Sequence, residues 1–183
     1  MSALEKLDYF PALLTAGDHA LLSGEIIDDF CRQVLATQSS EQFTPPTTGS
    51  GPGFDIVIGF VPYTLVKTTW PESRRTVLKF SNGQFCGSNL FAILTPEGRK
   101  ALEFWRQAEA DRKHPWRIAR RFGVLALLLY LLRRLSLKDA LNGLSKAAGC
   151  RIGHVKVGFA RAAVDVDSVA DQKLAEEILS GKK

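Results

Sequence analysis

No stretch of this 183-residue sequence is long and apolar enough to cross a bilayer. The most apolar run, Phe122 to Leu132, has eleven residues, whereas a spanning helix needs about 20. It reads as a buried or interfacial helix. The N-terminus, Met1 to Asp8, lacks a basic start followed by an apolar stretch, so no secretory leader is expected. Cysteine is scarce. Cys31, Cys86 and Cys150 are far apart and odd in number, which excludes a zinc pattern and a closed disulfide framework. They read as reduced, core-filling thiols of a cytoplasmic protein. His19, His114 and His154 show no ligand spacing, and only His19 stands out, because it follows Asp18. There is no internal repeat and no domain linker. Neither sign of charge dominates: Lys and Arg number 24 against 19 Asp and Glu, a net charge of +5. That mild excess suits an anionic small substrate or a membrane surface as well as nucleic acid. No nucleic-acid-binding motif is present, so a specific nucleic-acid partner is not expected.

What is present fits one soluble domain, 1–183, large enough to bury a real core. Residues 11–16 read as a strand. Ser23 is placed to cap a helix over about 24–35, with Glu25 in its first turn and Ile26, Ile27, Phe30 and Val34 on one face. Residues 37–53, rich in Gln, Ser, Thr, Pro and Gly, read as a mobile loop. Residues 55–61 suit a central strand and 76–80 another, followed by an Asn82-Gly83 turn and a strand over 89–94. Thr95 is placed to cap a helix opened by Pro96. A helical segment spans 111–148: a basic stretch from Arg112 to Arg121, the apolar helix, then a helix capped by Ser136 and ended by Gly149. A strand over 152–159 and a helix over 169–179 close the chain. The order predicts an α/β layered domain with a mixed sheet.

Two acidic positions carry the chemistry. The apolar run Pro11-Ala12-Leu13-Leu14-Thr15-Ala16-Gly17 delivers Asp18 at a strand end. The late segment Val164-Asp165-Val166-Asp167-Ser168-Val169-Ala170-Asp171 reads as another short strand that delivers more carboxylates just before a helix. In open α/β sheets, ligands sit outside the carboxyl ends of the strands. Carboxylates meeting there suit Mg²⁺, a hard ion that takes oxygen ligands and shares them with phosphates. Asp18 is one candidate ligand, and Asp165 or Asp167 the second. Asp171 reads as a first-turn residue favoured by the helix dipole. Lys79 lies inside an apolar strand, where it either marks an edge or neutralises developing charge at a phosphate. Arg74 and Arg75 read as a solvated pair or as anion contacts. Ser88 and Asn89 offer donors and acceptors for a substrate, or simply make a turn.

These stretches together resemble the MobA-like nucleotidyltransferases. Leu14 to Ser23 is similar to that family's strand, metal-binding Asp and following loop. Arg74 to Phe80 and Gly87 to Phe91 are similar to its substrate-side strands, and Ala163 to Asp171 to its closing strand and the turn into the last helix. The resemblance covers most of residues 11–180. It implies an incomplete Rossmann-like, glycosyltransferase-A-like three-layer fold with an added helical segment. It also implies transfer of a nucleotide from a nucleoside triphosphate to a phosphorylated acceptor, with release of pyrophosphate. In that chemistry Mg²⁺ is held by Asp18 with Asp165 or Asp167, Asp18 and Lys79 are catalytic, and Arg75, Ser88 and Asn89 contact substrate. The family's glycine-rich phosphate loop has no counterpart before Asp18, so the chain resembles the C-terminal two-thirds of such an enzyme, and little activity is expected of it alone. Two other readings stand beside this one. One is a non-catalytic module that binds an anionic ligand or partner, with an open sheet edge that invites a second copy. The other is a sugar transferase on the same architecture. The basic Arg112–Arg121 stretch reads either as a charged outer face or as a peripheral contact with an anionic membrane.

Overall fold

The computed structural model describes residues 9–39, 53–73, 75–110 and 123–181. Of the expected mobile loop over 37–53, residues 40–52 lie outside them, as do Arg74 and the basic Arg112–Arg121 stretch. Five strands form one mixed sheet: β1 (Ala12–Thr15), β2 (Ile56–Pro62), β3 (Leu78–Phe80), β4 (Gly83–Ile93) and β5 (Ile152–Lys156). The order across the sheet is β1-β4-β2-β5. β4 is antiparallel to β1, β2 and β3, and β2 is parallel to β5. β1 and β3 lie along the same edge of β4, opposite Leu90–Ile93 and Gly83–Phe85 respectively. The carboxyl ends of β1, β2 and β5 therefore point the same way.

Six α-helices of the described residues cover the two faces: α1 (Gly24–Ser39), α2 (Tyr63–Thr69), α3 (Arg99–Ala110), α4 (Val124–Leu131), α5 (Leu137–Ala148) and α6 (Val169–Leu179). The alternation of β2 sorts its side chains between two cores. Val57 and Val61 join Ile26, Phe30 and Val34 of α1, Val66 of α2 and Ala175 of α6. Ile56 and Phe60 face the other way, toward Ala101 of α3 and Leu137 and Leu141 of α5. A strand apolar on both sides is what a doubly covered sheet requires. The result is the three-layer, mixed α/β arrangement expected from the sequence, with α3 to α5 as the added helical layer.

The elements differ in detail from the sequence reading. The expected turn at Asn82-Gly83 joins β3 to β4, but β4 begins at Gly83, six residues before the strand read over 89–94. α1 continues to Ser39. α2 is new: Thr-rich and β-branched, it has poor helix propensity and forms where Val66 can enter the core. Thr95 does not cap a helix. Its hydroxyl donates to Asp55 Oδ1 at 2.9 Å, and a short 3₁₀ turn at Pro96–Gly98 precedes α3.

That hydrogen bond belongs to a buried ion pair. The Arg151 guanidinium donates to Asp55 through Nη2 at 2.8 Å and Nε at 3.1 Å, and the Arg151 backbone N–H donates to Oδ2 at 2.7 Å. The Asp55 carbonyl accepts from the N–H of Leu94 at 2.8 Å, and the Asp55 N–H donates to the Arg151 carbonyl at 2.8 Å. The starts of β2 and β5 and the exit of β4 thus meet at one residue. Burial pushes the Asp55 carboxyl upward, but the Arg151 side chain and backbone and the Thr95 hydroxyl outweigh it and hold it below its usual range.

Replacing Asp55 by Ala leaves the Arg151 guanidinium buried without its carboxylate. The expected loss is about 3–5 kcal/mol, measured by urea unfolding. The wild-type pair should also lend stability above the unfolded carboxylate value of about 3.9, lost as pH falls through the lower folded value. Asp55→Asn should flatten that acid limb.

Candidate functional site

The turn after β1 is built by its own backbone. The His19 N–H donates to the Ala16 carbonyl at 3.4 Å, and the Ala20 N–H to the Asp18 carbonyl at 3.0 Å. The turn leaves the Asp18 side chain exposed. After β5, a 3₁₀ turn at Ala160–Ala163 packs three alanines into the core and redirects the chain. The segment that follows comes back to the β1 turn: the Val166 N–H donates to the Asp18 carbonyl at 3.1 Å. The backbones of the Asp18 turn and of the segment that carries Asp165, far apart in sequence, therefore meet at the carboxyl end of the sheet.

His19 lies between them. Its side chain is buried against the backbone of Arg161 and Ala162, and neither ring nitrogen completes a hydrogen bond of normal geometry among the described residues. Burial lowers its pKa, with Arg161, Asp165 and Asp18 pulling the other way. The neutral imidazole is therefore the favoured form near pH 7.

Arg75 closes the other side. Its side chain is only 5% exposed. Nη1 donates to Asp165 Oδ1 at 2.7 Å and to the Asp165 carbonyl at 2.9 Å, while Nη2 donates to Asp171 Oδ1 at 2.6 Å. Nε donates to the Ser73 hydroxyl at 3.1 Å. The solvated-pair reading of Arg75 gives way to a buried clasp between the segment before β3 and the start of α6. Asp171 is at once a capping residue: its N–H donates to the Ser168 hydroxyl at 3.3 Å, and its Oδ2 accepts from that hydroxyl at 2.6 Å. Burial raises its pKa, but the Ser168 hydroxyl and Arg75 bring it below the usual range.

The remaining sequence candidates scatter. Ser88 is buried to 1% exposure on the α1 face, where its hydroxyl fills the space left by the missing side chain of Gly59: a Cβ there would stand 2.3 Å from Oγ. A substrate cannot reach it in this conformation. Asn89 sits at an irregularity between β2 and β4 with φ 52°, a bulge position tolerated by Asn. Lys79 pairs in register with Gln84 and is exposed on the sheet face away from Leu78 and Phe80. No contact joins it to Asp18 or Asp165 among the described residues. Asp167 is exposed. Cys86 and Cys150 are core thiols pushed by burial to about 11, which excludes a thiolate nucleophile at neutral pH.

Sequence reasoning missed a cavity of about 720 Å³ beside the clasp, between Trp70, Pro71 and Ser73 after α2 and Asp171, Lys173 and Leu174 of α6. One wall is the end of α2 at Thr69 and the segment that leaves it, so no local signal announced the cavity.

Among the described residues no group of three or more His, Cys, Asp or Glu is placed to hold a metal ion. Two carboxylates can still serve Mg²⁺, which binds through one or two protein carboxylates plus substrate phosphates. The Asp18 carboxylate has no ion pair among the described residues, and Asp165 commits only Oδ1 to Arg75. An ion held by these two acids would leave its other positions to phosphate and water, as Mg²⁺ commonly does.

No family model matches the chain, and no curated protein does. Among solved structures the chain is similar to one described as a hypothetical transferase from Thermus thermophilus, with 30% sequence identity and a TM-score of 0.71. The match covers 92% of this chain and 65% of that one. The chain thus spans 65% of the length of that hypothetical transferase and shares its fold.

The clasp yields a prediction. Arg75→Met should leave the carboxylates of Asp165, 35% exposed, and Asp171, 16% exposed, without their shared cation. The expected cost by denaturant unfolding is about 1–3 kcal/mol, less than for a fully buried pair because water screens Asp165. Arg75→Lys should recover only part of it, because an ammonium cannot span both acids as a fork does.

Proposed function

We propose that this protein carries a phosphate-chemistry site of the nucleotidyltransferase type. In this reading a nucleoside triphosphate and a phosphorylated acceptor meet at the carboxyl end of the sheet. An oxygen of the acceptor phosphate attacks the α-phosphorus in line, the bond to the β-phosphate oxygen breaks, and pyrophosphate leaves. The observation that carries the reading is the Val166–Asp18 contact, which joins two carboxylate-bearing segments where α/β sheets bind ligands. The likeness to a protein described as a transferase agrees with it. The resemblance to MobA-like enzymes supplies the finer assignment.

Asp18 and Asp165 are the residues that would hold Mg²⁺, with Asp167 a further acid nearby in sequence. The chemistry that ion supplies when bound is neutralisation of phosphate charge. The chain's own part is positioning. Arg75 fixes the Asp165 carboxylate through Oδ1, so its orientation is set before any ligand arrives. Neutral His19 backs both acids without adding a fixed charge. Lys79 is assigned to the phosphates as a mobile surface cation, and Asn89 to a substrate hydroxyl. Ser88, buried to 1% exposure, keeps its assignment to substrate through the resemblance alone.

A second reading draws on the clasp itself. Arg75 already offsets part of the Asp165 charge, which favours a module that binds an anionic ligand without turning it over.

One experiment separates the two. Binding of CTP, GTP and ATP is followed by titration calorimetry with and without Mg²⁺, and pyrophosphate release is measured in the same samples with phosphorylated acceptors. Mg²⁺-dependent binding that falls at least about tenfold in Asp18→Ala, roughly 1.4 kcal/mol, is expected of either reading. Release abolished by the same substitution belongs to the transferase. Absence of Mg²⁺-dependent nucleotide binding overturns the proposal. Asp18 is exposed, so its removal should leave the melting temperature near wild type.

A further inference from the structure

Helix α4 shows leucine to water. Its inner side is tied to the sheet: Tyr130 packs on Phe80, ring centroids 5.6 Å apart, and the Ser81 N–H donates to the Leu135 carbonyl at 2.9 Å. Its outer side carries Leu125, Leu128, Leu131 and Leu132, exposed by 68%, 49%, 68% and 58%. Residues three and four apart share a helix face, so these four form one stripe. Scattered exposed leucines need no explanation, but a contiguous stripe does.

The helix ends in a second unusual feature. The Arg133 N–H donates to the Tyr130 carbonyl at 2.9 Å and the Arg134 N–H to the Leu129 carbonyl at 2.8 Å. This is a Schellman stop, whose left-handed residue is usually glycine. Here it is Arg133, at φ 55°. The chain keeps an arginine where glycine would fit with less strain, and it keeps it at the end of the leucine stripe. Arg133 and Arg134 are both exposed.

Charge along the sequence agrees. From Arg112 to Lys138 there are eight Lys and Arg and no Asp or Glu. The other 16 basic residues do not balance the 19 acidic ones, so this one segment accounts for the whole positive excess.

We infer that the outer face of α4 is a docking surface for an anionic phospholipid membrane, with the leucines entering the acyl boundary and Arg133 and Arg134 meeting the headgroups. Interfacial helices of this kind lie in the membrane plane, apolar side down and cations at the polar level. No described helix is long and apolar enough to cross a membrane, so the contact is peripheral. A second copy is a poorer occupant. The sequence from Arg112 to Lys138 carries eight cations and no acid, so two copies of it repel. Nucleic acid offers phosphates but no hydrocarbon for the leucines. The inference stands apart from the reading of Asp18 and Asp165.

The test is flotation of the whole chain with vesicles of phosphatidylglycerol and phosphatidylcholine in equal parts, beside vesicles of phosphatidylcholine alone. Co-flotation is expected with the anionic vesicles, reduced in about 1 M NaCl, where charges are screened beyond about 3 Å. Leu125→Ser with Leu128→Ser and Leu131→Ser should cut the bound fraction by roughly tenfold. Arg133→Gly with Arg134→Ser should weaken binding at low salt while the melting temperature holds, since glycine suits that backbone. Failure to float overturns the inference. So does flotation that ignores the leucine substitutions, because charge alone would then explain it. A wild-type dimer in sedimentation that the serine variant breaks, without vesicle binding, would assign the face to a second copy. Equal binding of wild type and serine variant to an RNA or DNA oligonucleotide that blocks flotation would assign it to nucleic acid. Either result overturns it.

Discussion

Asp55 and Arg151 form the buried ion pair on which the sheet's alignment rests. Both side chains are almost wholly removed from water, at 6% and 7% exposure. Taking two charges out of water is costly, and well-packed hydrophobic residues could match the pair's stability. What apolar residues could not do is fix which residue lies opposite which. β2 and β5 are parallel neighbours that no hairpin holds in register. The pair sets Ile56 against Ile152. It also receives Leu94 and Thr95 as β4 ends. Gly98 has no side chain because a Cβ there would stand 2.4 Å from the Asp55 carbonyl. A slip of one residue would send Val57 and Val61 to the wrong core.

Once that alignment is fixed, the site follows. Val157 donates its N–H to Phe60 and ends the ladder. The alanine-rich 3₁₀ turn then has only one direction open to it, across the sheet end toward the β1 turn. Arg75 reaches into the same place from the segment before β3 and takes hold of Asp165 and Asp171 together. Its contact with Asp171 also ties the capping box of α6 into the clasp, so one cation organises a metal candidate and a helix start at once.

Much of this was legible in the sequence, for identifiable reasons. β2 was clear because a run of Ile, Val and Phe has no polar face. α5 and α6 were clear because Ser136, Gly149 and Ser168 mark their ends by local backbone chemistry. The backbone contact between the Asp18 turn and the Asp165 segment was anticipated, although residues 164–167, read as a short strand, form irregular chain after a 3₁₀ turn. The rest was hidden for equally physical reasons. α2 has strand-like residues and is helical only because Val66 finds a core. Ser88 looked like a ligand because a hydroxyl beside an asparagine suggests one; nothing local says that Gly59 leaves it a hole. Arg75 looked solvated because its partners lie 90 and 96 residues away. Thr95 looked like a cap because the ion pair that claims it is non-local.

β1 delivers Asp18 from one edge of the sheet, with alternate residues exposed, and pairs with β4 over only four positions. Asp165 follows β5 at the opposite edge, which is more buried and is pinned at its start by the Asp55–Arg151 pair. The two acids are thus held by parts of the molecule with unequal resistance to opening. Short, exposed pairings open at lower free energy than buried, pinned ones. A fluctuation that lifts β1 would part the carboxylates while the Asp55–Arg151 alignment and both cores stay intact. The site can therefore be dismantled and rebuilt without the protein unfolding, and a ligand that bridges the two acids would act as the missing stitch that holds the edge strand down.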